Sequence, residues 1–212
     1  MNNIVMITGP SGAGKTTLGD YLKKNLGYVI PMHCTTRGRR SDDQDGFYRY
    51  LLHDEYAELY DNNKFLISSG DGDIIDKDHG NFYGILKDDF EKNYIDNNIV
   101  LFVSYRDIER IMELNKSFNI ILINLKYRNI KGGIISRISS NSRNHTYEQI
   151  INRVANAIKL EKEYGNIVEQ FATMTIYTDE VDLPEMFRIV RNRLQETDCI
   201  EGVLNEKVLC RA

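Results

Sequence analysis

Several features are missing from this chain, and each absence narrows what it can be. Cysteine is scarce: Cys34, Cys199 and Cys210 lie far apart, with no Cys-x-x-Cys pair. A scattered, odd set argues against a disulfide framework or a zinc site and suggests free thiols in a reducing compartment. No apolar run reaches the length of a membrane span, and Met1-Asn2-Asn3 leads straight into an apolar segment with no signal-peptide pattern, so the expected location is cytoplasmic. Positive charge is not in excess, with 27 Lys and Arg against 31 Asp and Glu and a formal net charge of -4. That balance argues against a general nucleic-acid or membrane-surface binder, local basic clusters aside. Neither an internal repeat nor a low-complexity linker is present.

What remains is an ordinary globular composition. The 212 residues are 42% hydrophobic and 27% charged, enough for one compact domain with insertions and a core that needs no staples. The informative stretch comes first. Ile4-Val5-Met6-Ile7 is apolar and β-prone, and Gly9-Pro10-Ser11-Gly12-Ala13-Gly14-Lys15-Thr16-Thr17 follows directly. Leu18, Leu22 and Leu26 then recur at helical spacing, and Gly27 stands where a helix C-terminus favours glycine. Strand, Gly-x-x-x-x-Gly-Lys-Thr and helix, in that order, constitute a P-loop. Its backbone N–H groups and the positive end of the helix form an anion nest spanning residues 9 to 17. Lys15 is placed to reach the β- and γ-phosphates of ATP, and the Thr16 hydroxyl to take one Mg²⁺ position.

Further along, Tyr28 to Met32 reads as a second strand, leading into His33-Cys34-Thr35-Thr36-Arg37-Gly38-Arg39-Arg40. Phe47 to Leu52 and Phe65 to Ser69 read as strands around a short helix from His53 to Asn63. An acidic stretch, Asp71 to Asp78, precedes Gly80-Asn81-Phe82-Tyr83-Gly84-Ile85, and Leu86 to Asn97 is expected to be helical. Ile99 to Ser104 and Asn119 to Leu125 are apolar runs of the kind found in central parallel strands. Helices are expected from about Asp107 to Lys116 and from Ile130 to Ile138, the latter despite Gly132-Gly133. Thr146 and Gln149 form a capping box opening a long helix. Ala172 to Tyr177 is a last strand, Pro184 suits the start of a last helix, and the residues after Thr197 show no pattern. Strands alternating with helices after a P-loop imply a doubly wound α/β sheet.

Joined to Thr35-Thr36-Arg37-Gly38-Arg39-Arg40, to Asp45-Gly46 with Tyr48 and Tyr50, to Gly80-Asn81-Phe82-Tyr83-Gly84, and to Arg137, Arg143 and Arg153, the P-loop makes the chain resemble the guanylate kinase family of nucleoside-monophosphate kinases. The likeness runs over most of residues 3 to 194. It implies a guanylate-kinase-like domain over 1–197: a P-loop core (1–32 and 91–197), a small mixed acceptor-binding subdomain (33–90) and a lid (137–145), with a tail over 198–212. It also implies Mg²⁺ with ATP, GMP or dGMP as acceptor, and a monomer or homodimer. By the same resemblance Lys15, Arg40, Arg137, Arg143 and Arg153 are catalytic, while His33, Arg37, Arg40, Tyr48 and Tyr83 bind the acceptor. These types suit the chemistry, because phosphoryl transfer between two polyanions needs cationic forks that follow the migrating charge.

The departures fall on base recognition. Where the family has a glutamate this chain has Ile67, or Ser68 in a register shifted by one; the central-strand aspartate is replaced near Ser104, and a serine by Ile85. Asp71 or Asp73 could supply the missing carboxylate, or that stretch could be a solvated hairpin. His33 stands in place of a serine, and either donates to a purine O6 or is structural. Ser104-Tyr105-Arg106 is similar to the ribose 1,5-bisphosphate phosphokinase branch, whose acceptor has no base, and a non-catalytic binding module is a third alternative. A GTPase reading of Asp43-Gln44-Asp45-Gly46 and Asn115-Lys116-Ser117-Phe118 fails on context and on the missing final aspartate.

Overall fold

The computed structural model describes residues 2–40, 43–70, 80–139 and 146–209, with backbone alone for 138–139 and 197–209. The first strand, β1 (Asn3–Thr8), is fully buried and ends at the P-loop. Helix α1 (Lys15–Leu26) begins on Gly14 in a left-handed conformation and stops at Gly27, whose N–H returns to the Leu22 carbonyl. Strands β2 (His33–Thr35), β3 (Tyr48–Tyr50), β4 (Phe65–Gly70) and β5 (Phe82–Leu86) follow, with α2 (His53–Asp61) between β3 and β4 and α3 (Lys87–Tyr94) after β5. Strand β6 (Ile99–Phe102), a 3-10 turn (Tyr105–Asp107), α4 (Ile108–Leu114), β7 (Asn119–Lys126), α5 (Ile130–Ser139), α6 (Tyr147–Phe171), β8 (Met174–Tyr177) and α7 (Leu183–Leu209) complete the order.

Two four-stranded sheets result. The first, β6-β1-β7-β8, is parallel throughout, with Ile4 to Ile7 paired to Ile99 to Phe102 on one side and Asn3 to Thr8 paired to Asn119 to Asn124 on the other. Alternation along β1 divides the core. Val5 and Ile7 pack with Leu18 and Leu22 of α1, Ile134 of α5 and Val190 of α7, whereas Ile4 and Met6 pack with Phe90, Ile108, Ile111 and Val168 of α3, α4 and α6. Helices on both faces make the doubly wound α/β arrangement. The chain order leaves β1 between β6 and β7, so the crevice at the carboxyl end of β1 is where such folds bind ligands.

The second sheet, β3-β2-β5-β4, is mixed: β2 and β3 run parallel, while β5 is antiparallel to both β2 and β4. Its far face packs Cys34, Phe82, Tyr56 and Phe65 together. Gly84 belongs there because a side chain would collide with the Phe65 ring and the Tyr56 hydroxyl.

Four expectations are corrected. Tyr28 to Met32 is not a strand; only Val29 makes an isolated parallel bridge, to Ile99, and Pro31 lacks the N–H that a longer ladder would use. The long helix expected up to Asn97 ends at Tyr94, and that expected up to Lys116 ends at Leu114. Residues 198–209 do have regular structure, because the backbone of α7 continues to Leu209.

Candidate active site

The P-loop is shaped by glycines that other residues could not replace. Gly9 has φ 141°, and a Cβ there would lie 2.3 Å from the Leu125 carbonyl oxygen of β7. Gly12 and Gly14 also have positive φ, at 79° and 92°. The first turn of α1 carries no acidic residue, and its N-cap, Gly14, makes no side-chain cap. The helix therefore presents its first N–H groups and positive dipole end with no side-chain anion already on them, which suits a polyphosphate. The Lys15 ammonium donates to the carbonyls of Gly9 (2.7 Å) and Pro10 (2.9 Å), folded back over the loop, and burial lowers its pKa from 10.5 to about 8. Thr16 and Thr17 are exposed at the mouth, Ser11 is partly exposed, and Ala13 is buried beneath.

Of the expected arginines, Arg153 reaches this cradle from α6 and Arg137, of the expected lid, lies beside it. The Arg153 guanidinium donates to the Ser11 hydroxyl at 2.7 Å, bringing α6 against the P-loop. Arg137, in the last turn of α5, donates to the Thr178 carbonyl at 3.2 Å; a Cβ on Gly12 would lie 3.3 Å from the Arg137 Cβ, so the two are adjacent. Arg143 lies outside the described residues, as do Asp71 and Asp73.

The small sheet supplies the second half of the site. In-register neighbours point to the same face, so the pairings Tyr50–Thr35, Thr35–Tyr83 and Tyr83–Ser69 align four hydroxyl side chains in one row, with Tyr48 and His33 in the next. Arg37 follows this strand and is only 6% exposed. Its guanidinium lies 4.6 Å from the Tyr48 ring centroid and makes a bidentate ion pair with Asp43, at 2.6 and 2.7 Å. The Tyr50 hydroxyl (2.6 Å) and the Arg40 N–H (2.8 Å) donate to the same carboxylate. The Arg37 hydrogen bonds hold the Asp43 carboxyl below the ordinary carboxylate range, and Asp43 in turn raises Arg37. The Arg40 side chain is exposed, and Arg39 pairs with Asp45. Gln44 donates to Asp20 of α1 at 3.1 Å, so the arginine loop touches the helix that begins with Lys15.

His33 is not where an acceptor-contacting residue should be. It is 4% exposed; its Nδ1–H donates to the Pro31 carbonyl at 2.9 Å, and its Nε2 accepts the Phe102 N–H at 3.2 Å. With both ring nitrogens committed to backbone, and burial lowering its pKa from 6.5 to about 4, the neutral ring ties the small sheet to the end of β6. Of the positions expected to read a base, Ile67 and Ile85 are buried in the core, and the Ser68 hydroxyl is bonded to Tyr56 on the opposite face. Sequence reasoning gave no site role to Asp43, Tyr50 or Asp107. Tyr50 was legible from its two-residue spacing to Tyr48. Asp107 is a carboxylate 5% exposed that accepts the Ser104 N–H at 2.6 Å and the Ser69 hydroxyl, and burial raises its pKa from 3.8 to about 6.

A P-loop at the switch point of a parallel sheet, with Arg153 of α6 on its Ser11 and Arg137 of α5 beside its Gly12, defines the class: this is the fold of the P-loop kinases. No family model matches the chain. In sequence it is similar to guanylate kinases, among them that of Bordetella pertussis (38% identical over 88 residues, 41% of this chain and 38% of that one) and that of Fusobacterium nucleatum (31% over 90 residues, 42% and 45%). These matches span less than half of either relative's length. In three dimensions it is similar to the guanylate kinase from Anaplasma phagocytophilum, with a TM-score of 0.64 and 17% identity over 92% of this chain and 86% of that one, a likeness of fold. Among the described residues, no helix is long and apolar enough to cross a membrane, and no group of three or more His, Cys, Asp or Glu could hold a metal ion.

Proposed function

We propose that the chain transfers the γ-phosphoryl group of ATP to a nucleoside monophosphate, with GMP or dGMP the first acceptors to test. The observation that carries the reading is the pairing of two anion sites: an uncapped helix N-terminus with Lys15 above it, and a buried arginine fork on a tyrosine-lined sheet face. The donor set fits ATP with Mg²⁺, which would neutralise phosphate charge and take the Thr16 hydroxyl as a protein ligand. On this reading the Lys15 ammonium leaves the Gly9 and Pro10 carbonyls for the phosphates, and Arg137 and Arg153 stabilise charge beside Gly12 and Ser11. Arg37, Arg40, Tyr48 and Tyr83 hold the acceptor phosphate in line, with residues 33–90 as the acceptor-binding unit. His33 is a positioning residue in this scheme, because its ring nitrogens are occupied.

A second reading has a specific observation behind it. Ile67 and Ile85 are buried and apolar and the Ser68 hydroxyl is engaged by Tyr56, so these positions offer a base no polar partner, and a sugar phosphate of the ribose 1,5-bisphosphate kind would lose nothing by that. ADP release measured with GMP, dGMP, AMP, UMP and ribose 1,5-bisphosphate separates the two. Turnover with GMP or dGMP that falls at least about a hundredfold in Lys15→Ala supports the first reading, on the scale of losing a charge-stabilising donor. Background rates with both guanine nucleotides would overturn it.

A further inference from the structure

The Arg37 fork holds an anion that belongs to the protein itself. We infer that Asp43 is a specificity-determining residue, a tethered stand-in for the acceptor's phosphate that yields to a phosphomonoester dianion and keeps monoanions out. The inference rests on reading the arginine–tyrosine face as the acceptor-phosphate site.

The geometry sets this ion pair apart from the exposed arginine pairs elsewhere among the described residues. Arg188–Glu185 and Arg193–Glu196 are exposed, one-turn pairs on a helix surface. Asp43 instead gathers four hydrogen bonds from three residues, and its side chain is 8% exposed against 6% for Arg37. Two guanidinium N–H groups, a phenol and a backbone N–H around one pair of oxygens match the donors that two terminal oxygens of a phosphate would need. The third phosphate oxygen has a cation available close by: the Arg40 backbone already touches Asp43, while its guanidinium is exposed.

Tethering makes the arrangement selective. Asp43 is six residues from Arg37, so it competes at the high effective concentration of a short loop. An incoming monoanion offers the fork the same charge as Asp43 and gains little by exchange. A dianion brings a second charge and a third oxygen, which Arg40 can take up. Asp43 and Gln44 can also give way without emptying a core position. A methyl group on Gly38 or Gly46, on either side of them, would meet no atom within 4 Å, and the Gln44 side chain lies at the surface of α1.

The test is binding of methyl phosphate, a dianion at pH 8, and dimethyl phosphate, a monoanion, to the full chain, measured by ligand-observed NMR. Asp43→Asn and Asp43→Ser are expected to bind methyl phosphate at least about tenfold more tightly than the wild type, the order of one charge-assisted hydrogen bond. Both should also narrow the preference for methyl over dimethyl phosphate, and Arg37→Ala should lose binding. Unchanged or weaker methyl phosphate binding in both Asp43 variants, with binding still lost in Arg37→Ala, overturns the inference and leaves the acceptor site standing. Indifference of binding to Arg37→Ala, or no binding by the wild type and all three variants, refutes the acceptor site and the inference with it. If circular dichroism showed both Asp43 variants unfolded, the inference would fall too, because a displaceable group cannot be indispensable to the fold.

Discussion

At the level of single residues, the Lys15 ammonium should leave a signature in the pH profile. Its pKa of about 8 means that the free protein loses this cation as pH rises through that value. Because kcat/KM reports the free enzyme, kcat/KM for ATP should fall by about tenfold per pH unit above pH 8. Lys15→Arg, charged throughout, should show no such limb whatever its absolute rate; a flat wild-type profile from pH 7 to 10 would contradict the assignment. His33 and Asp107 make opposite contributions to acid stability. The His33 pKa is depressed from 6.5 to about 4, so the unfolded chain takes up its proton first and stability drains away as pH falls through that window, by up to about 3 kcal/mol. Asp107 is raised from 3.8 to about 6, so the folded state takes up its proton first and gains a similar amount over nearly the same range. The wild type should therefore vary little from these two groups. Urea denaturation at pH 6.5 and pH 4.5 should show His33→Phe gaining stability relative to wild type on acidification and Asp107→Asn losing it, whereas parallel behaviour of all three would contradict both.

At the level of elements, close approaches explain what local pattern could not. Gly132-Gly133 is an odd pair for a helix interior, yet α5 forms through it because a Cβ on Gly133 would lie 2.4 Å from the Tyr127 ring. Gly9 is held more tightly still, by its positive φ and by the Leu125 carbonyl. Gly9→Ala should displace the P-loop from β7 and cost several kcal/mol, combining backbone strain with overpacking. Thermal melts should show a lower Tm with ATP-induced stabilisation abolished; an unchanged ATP response would mean that the loop tolerates the methyl group. Burial also accounts for the inertness expected of Cys34, whose thiol is pushed up to about 11. The capping box at Thr146 and the apolar runs of β6 and β7 were legible at once, because local chemistry and tertiary packing agree there. Tyr28 to Met32 misled because its composition is that of a strand while its place at the sheet edge, with Pro31, leaves a single bridge.

At the level of the whole molecule, the parallel sheet and the mixed sheet should respond separately to two ligands. At 100 times Kd a ligand that binds only the folded state stabilises it by about 2.7 kcal/mol. Melting curves with ATP and with GMP should each shift upward, and Arg37→Ala should abolish the GMP shift while retaining the ATP shift. Loss of both together would show one site where two are proposed.

Local chemistry by itself determined the P-loop, the alternation of strands and helices and so the α/β class, since each depends on residues within one element's length. It also proposed which cationic and phenolic residues meet phosphate. Only the tertiary structure decided what those residues face. Register between β2, β3, β5 and β4 put Tyr50, Thr35, Tyr83 and Ser69 in one row, turned Ser68 the other way, closed His33 against the backbone of β6, and set Asp43 in the fork of Arg37. Such outcomes depend on pairings between segments far apart in the chain, and no spacing within a segment encodes them.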